Sequence, residues 1–176
     1  MAVEYHLAHK YEGDHLAYKY HGLPGENHLI YTTGDEWKYW VEITVRWGSE
    51  TRDVDICSYW IDNPDVKVGF GWSHGTIDGT YRIYWESGDD TGFGGHETLH
   101  ARIAPWEAAD NRKIKIHFNV YGEGPGEGLT VTATYKGTTI TKHGQDAGVN
   151  YGEKAKTTDP CCTIEFDALG VPIEIN

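Results

Sequence analysis

The feature that most constrains this chain is apolar–polar alternation with period two, repeated along most of its length. Tyr39, Val41, Ile43, Val45 and Trp47 fall on one face of an extended segment; Lys38, Glu42, Thr44 and Arg46 fall on the other. Side chains of a strand point alternately to its two faces, so such a segment buries one face and wets the other. The pattern recurs at Tyr81, Ile83 and Trp85, at Ile114, Ile116, Phe118 and Val120, and at Leu129, Val131, Ala133 and Tyr135. Turn residues punctuate these runs: Gly48-Ser49, Asn63-Pro64-Asp65, Asp78-Gly79, Gly122 to Gly126, and Lys136-Gly137. No stretch carries a sustained 3.6-residue period. Pro105 to Asp110 suits a single helical turn at most. Short strands separated by regular turns predict an all-β fold, a β-sandwich or jelly roll. The 22 Gly, seven Trp and 12 Tyr fit that class, because aromatic side chains and tight turns favour sheets.

The 176 residues suffice for one domain with arms. The expected division is an N-terminal hairpin arm over 1–36, a sandwich over 37–143, and a tail over 144–176 that packs on or extends it. The arm is suggested by a short repeat: His6–Tyr11 reads HLAHKY and His15–Tyr20 reads HLAYKY. A two-residue turn at Gly13-Asp14 would set Tyr11 opposite Leu16, His9 opposite Tyr18 and His6 opposite His21. Five of the ten histidines lie in this region, and His6 with His21 is its best metal-binding pair. Simple alternation of His with Tyr on a polar strand face explains the same residues without a metal.

The net charge of −12 argues against nucleic acid and anionic membrane surfaces as partners. No apolar run is long enough for a membrane-spanning helix, so membrane insertion is not expected. The first residues show no secretory signal, which favours a cytoplasmic protein. Three cysteines, two of them the vicinal Cys161 and Cys162, do not make a disulfide framework. They read as free thiols or, in an exposed tail, as intermolecular links.

Two acidic segments carry the chemistry. Asp53-Val54-Asp55 places two carboxylates on the same side of a strand. Ser87 to Glu97 is a glycine-rich loop containing Asp89, Asp90 and Gly92 and closing on Glu97. Calcium takes about six to eight hard oxygen ligands from carboxylates and backbone carbonyls. Asp53, Asp55, Asp89, Asp90 and Glu97, with a carbonyl of Gly92 or Gly94, meet that demand if the segments converge. Two unrelated acidic patches on an acidic surface are the alternative.

Asp53 to Ile56, Gly88 to Gly92, and Glu97 ahead of the strand Ile114–Val120 together resemble the TerD family of tellurium-resistance and stress proteins. Asp90 to Gly94, Val120 to Gly122 and Leu129 to Tyr135 are similar to YfaP-like β-sandwich domains. The resemblance covers about residues 37 to 136. Cys57 stands where TerD proteins carry a third Asp, and Gly95-His96 where they carry an acidic pair. It implies a calcium-binding β-sandwich, with calcium held by the acidic residues named above.

Other motifs compete. His96-Glu97-Thr98-Leu99-His100 spells the H-E-x-x-H zinc-protease pattern, which needs a helix to bring both histidines to one metal. Here Leu99, Ala101 and Ile103 alternate as in a strand, where the histidines would lie about 13 Å apart. A zinc hydrolase is therefore the least favoured function. Trp40, Trp60, Trp72 and Trp106, if exposed, would suit stacking on a glycan. The favoured expectation is a non-catalytic, calcium-binding structural or self-assembling module, with a glycan-binding module as the alternative.

Overall fold

The computed structural model describes residues 40–77, 80–103, 112–146, 148 and 159–176, and the backbone of three strands nearer the N-terminus. The chain divides into two compact units, Met1–Lys38 and Tyr39–Asn176. Strands β1 (Tyr5–Tyr11), β2 (Asp14–Tyr20) and β3 (Asn27–Ile30) form a three-stranded antiparallel sheet in the order β1-β2-β3. The expected hairpin is present, and a third strand joins it. Two strands alone are marginal in water, and three are the usual minimum.

The hairpin register differs from the expectation. Tyr11 lies opposite Asp14 and Lys10 opposite His15; beyond an irregularity between Leu7 and Lys10, His6 faces Tyr18. Loop placement fixes hairpin register, and a bulge shifts it by a residue. His6 is therefore not the cross-strand partner of His21, and His21 lies outside the described residues. The Pro105–Asp110 turn and Trp106 also lie outside them.

The larger unit is an all-β sandwich. Its strands are β4 (Val41–Arg46), β5 (Val54–Trp60), β6 (Asn63–Gly69), β7 (Gly75–Thr76), β8 (Tyr81–Trp85) and β9 (His96–Ile103). They continue with β10 (Lys113–Val120), β11 (Glu127–Tyr135), β12 (Thr138–Gln145), β13 (Cys162–Phe166) and β14 (Pro172–Ile175). One antiparallel sheet runs β14-β13-β10-β5-β6, the other β12-β11-β4-β9-β8-β7. Among the described residues no helix is long and apolar enough to cross a membrane.

Alternation becomes burial as the pattern requires. Val41, Ile43 and Val45 are buried while Glu42 and Arg46 are exposed. Ile43 pairs with Leu99 and with Ala133, and Phe118 with Ile56, so the inward faces of both sheets meet in one core. β5 is the exception, because every one of its residues is buried, including Asp55, Cys57 and Tyr59. Residues 162–175 supply two strands of the five-stranded sheet, with Ile164 opposite Ile114 and Cys162 opposite Ile116.

Two expectations of exposure fail here. Cys162 is a buried core residue, and the half-buried Cys161 donates its S–H to the Ile116 carbonyl at 2.9 Å. Burial, reinforced by the neighbouring Cys162, pushes the Cys161 thiol far up, so its thiolate is suppressed. A disulfide to another molecule requires an accessible thiolate, which burial disfavours at Cys161, while Cys162 is itself buried in the core. Trp40 and Trp60 are also buried, and the Trp60 ring packs 5.2 Å from Phe166 and donates to the Arg82 carbonyl. Lys67 Nζ lies 4.5 Å over the Trp72 ring. These tryptophans do not form an open stacking surface.

Candidate metal centre

Three connections that are distant in sequence meet at one end of the sandwich: residues 47–53, 86–95 and 121–126. Backbone hydrogen bonds tie them together. Arg52 N–H donates to the Glu123 carbonyl at 2.7 Å, and Gly94 N–H to the Thr51 carbonyl at 3.2 Å. The Asp53 carbonyl accepts from Tyr121 at 2.9 Å and from Gly122 at 3.3 Å. Asp53 itself adopts a left-handed conformation, φ 56°, which Asp tolerates better than most residues. Gly122 is needed for this approach, since a Cβ there would meet the Asp53 Cβ at 2.7 Å.

The convergence brings Asp53, Asp55 and Asp89 together, with one carboxylate oxygen from each lying within 4.8 Å of the others. Asp55 is buried, Asp53 half-buried and Asp89 exposed, so the cluster opens to solvent on one side. Burial, then the neighbouring Asp53 and Asp89, raise the Asp55 carboxyl to about 7. Asp89 is raised too, chiefly by burial and then by Asp53 and Asp90.

Glu97 lies beneath. Its β9 position, opposite Val45, turns its side chain inward, and it is 0 % exposed. The Ile56 N–H donates to Oε2 at 3.3 Å. Oε1 is buried without a well-formed hydrogen bond, although the Asp90 amide is near enough to favour the ionised form. Burial dominates, helped by Asp55 and Asp89, and raises this carboxyl to about 9. A buried carboxylate oxygen without a full partner is costly unless a cation or proton compensates it.

The other two residues expected as ligands are occupied. Asp90 accepts the Gly92 N–H at 2.9 Å and the His96 N–H at 3.1 Å, and these bonds hold its carboxyl below the usual range. It braces the loop. The Gly92 carbonyl accepts the Trp47 indole N–H at 2.9 Å. Gly95 completes the brace, because a Cβ there would lie 2.6 Å from the Trp47 ring. Trp47 and the 121–126 connection are parts of the site that sequence reasoning misses. Trp47 shows only as the end of an alternating strand and 121–126 only as turn composition, and neither says which distant loop it will touch.

His96 and His100 both lie on β9, not on a helix. His100 Nε2 pairs instead with Glu86 Oε2 at 2.6 Å. The two-histidine geometry of a zinc-protease helix is not formed.

No family model matches the chain, and no curated protein matches it significantly. A solved structure titled "Crystal structure of unknown function protein SAV2460" is similar at 16 % identity and a TM-score of 0.45. The match covers 78 % of this chain and 88 % of that one. Likeness at this level carries no functional argument.

Proposed function

We propose that the sandwich is a non-catalytic calcium-binding module whose ion ties the 86–95 loop to the start of β5 at one end of the fold. The observation that carries this reading is the group of three aspartates together with Glu97, a fully buried carboxylate that interacts with Asp55 and Asp89 and has an oxygen lacking a full partner. The donors are all hard oxygens, with no nitrogen or sulfur among the clustered atoms. That chemistry suits calcium or magnesium and not zinc or copper. Calcium fits better, because it accepts irregular coordination by carboxylates from separate loops, whereas magnesium demands near-octahedral geometry. Asp53, Asp55 and Asp89 would hold the ion, with Glu97 close to Asp55 and Asp89. The likeness to TerD proteins points the same way.

The test is calorimetric titration of the metal-stripped protein with calcium chloride, paired with thermal unfolding. A ligand at about a hundred times its Kd stabilises the native state by about 2.7 kcal/mol. Asp55→Asn with Asp89→Asn should abolish both the heat and the stabilisation. A parent protein with no calcium heat and no change in melting on adding EDTA would rule the site out.

The interaction role belongs to the N-terminal unit. β1 and β3 are the edges of their own small sheet, and strand edges template pairing with another chain. Self-association through these strands is expected to show as a concentration-dependent sedimentation coefficient. A full-length protein that stays monomeric at high concentration would remove that part of the proposal.

A further inference from the structure

The metal end is also where two aromatic side chains stand exposed. Phe93 is 54 % exposed and Tyr121 is 72 % exposed, although both extend from well-tied backbone. Phe93 forms an isolated bridge with Arg52, and the Tyr121 N–H donates to the Asp53 carbonyl at 2.9 Å. Phe93 and Tyr121 are thus backbone partners of Arg52 and Asp53, and Asp53 belongs to the carboxylate cluster. The Arg52 guanidinium lies 5.6 Å from the Phe93 ring centroid. Aromatic side chains held in water offer flat contact area to a ligand bound at this end.

We propose that this end of the sandwich binds a neutral saccharide, with vicinal hydroxyls completing the calcium shell and C–H faces packing on Phe93 and Tyr121. The proposal rests on the calcium reading above. Asp89 is exposed and Asp53 half-buried while Asp55 is buried, so a bound ion would keep a solvent-facing side at Asp89. Hard cations accept hydroxyl oxygens there as readily as water. A ring C–H face contacts an aromatic ring without charge.

Charge decides against an anionic ligand. Four carboxylates exceed the two positive charges of calcium. Glu50, Glu86 and Glu123 are exposed on the same three connections, and the whole chain carries −12. A phosphate or an anionic membrane surface would meet repulsion that Arg52 alone does not offset. A neutral polyol would not.

The experiment is calorimetry of the full chain in three arms. The first titrates calcium chloride. The second titrates methyl mannoside, methyl galactoside and methyl fucoside with calcium present, then again in EDTA. The third measures cosedimentation with phosphatidylserine vesicles in calcium. The expected result is saccharide heat that needs calcium, with no vesicle binding. Phe93→Ala with Tyr121→Ala should weaken the saccharide by about tenfold while calcium affinity stays the same. Intact calcium heat with no saccharide heat from any of the three sugars overturns the proposal and leaves the metal site standing. So does binding that survives EDTA or ignores the double variant, and so does vesicle binding without saccharide binding. Absence of calcium heat removes the metal site and this inference together.

Discussion

The carboxylates at the loop end and the thiols at the start of β13 are both polar groups drawn into the protein, and their surroundings differ. Cys161 has its S–H bonded to the Ile116 carbonyl, and Cys162 joins the apolar core opposite Ile116. Cys162 is buried and Cys161 half-buried with its S–H satisfied, a setting that disfavours the chemistry vicinal cysteines suggest. Asp55 and Glu97 are buried among other carboxylates, with one oxygen of Glu97 short of a full partner. Burial at the first place removes a function; at the second it leaves a charge demand that a cation would satisfy. The state of a buried polar group's partners, more than its burial, separates a core residue from a site.

The largest effect expected from this contrast is on stability against pH without metal. Asp55 is raised to about 7 and Glu97 to about 9, so the folded state holds protons that the unfolded chain has released. Stability is then highest at low pH within that window and falls as pH rises from about 4 to about 9. A tenfold change in proton affinity corresponds to about 1.4 kcal/mol, so the loss between about pH 5 and about pH 9 should reach several kcal/mol in EDTA. Urea unfolding at both values measures it. Calcium should flatten the trend, and Glu97→Gln should remove its upper part. A metal-free protein that gains stability toward pH 9 would break the contrast.

The thiol side predicts a loss without a calcium effect. Cys162→Ser places a hydroxyl in apolar surroundings and should cost about 1–3 kcal/mol, leaving the calcium-induced stabilisation unchanged. A changed calcium response would mean that the two regions are coupled.

Asp90→Ala sharpens the comparison from within the site. It removes two backbone N–H acceptors from the loop but none of the three clustered aspartates. A loss of about 1.5 kcal/mol is expected, with weaker calcium binding but the same stoichiometry. Abolished binding would make Asp90 a ligand and not a brace.

The smallest effect is on reactivity. Cys57 and Cys162 are buried, and burial pushes the Cys57 and Cys161 thiols up. A thiol reagent should label the native protein slowly at all three and the unfolded chain quickly. Rapid labelling of Cys161 in the native state would restore the exposed-tail reading.

Local patterning suffices for the all-β class and for the inward faces of most strands. Val41, Ile43 and Val45, or Leu129, Val131 and Ala133, need no distant information, because period-two alternation is a local property of extended backbone. It also marked Asp53, Asp55, Asp89 and Glu97, because carboxylates near turns are visible in one dimension. Only the tertiary structure decided which of them meet. The cluster joins Asp53 and Asp55 to Asp89 of a different loop, and the surrounding connections are tied by Gly94 to Thr51 and by Tyr121 to Asp53. Asp90 and Gly92 carry the same composition signal as Asp89, yet they are engaged with His96 and Trp47. The burial of Trp40, Trp60 and Cys162 was hidden for the same reason. Whether a face is covered depends on what packs against it, and that is settled by strand order and register, which local alternation does not specify.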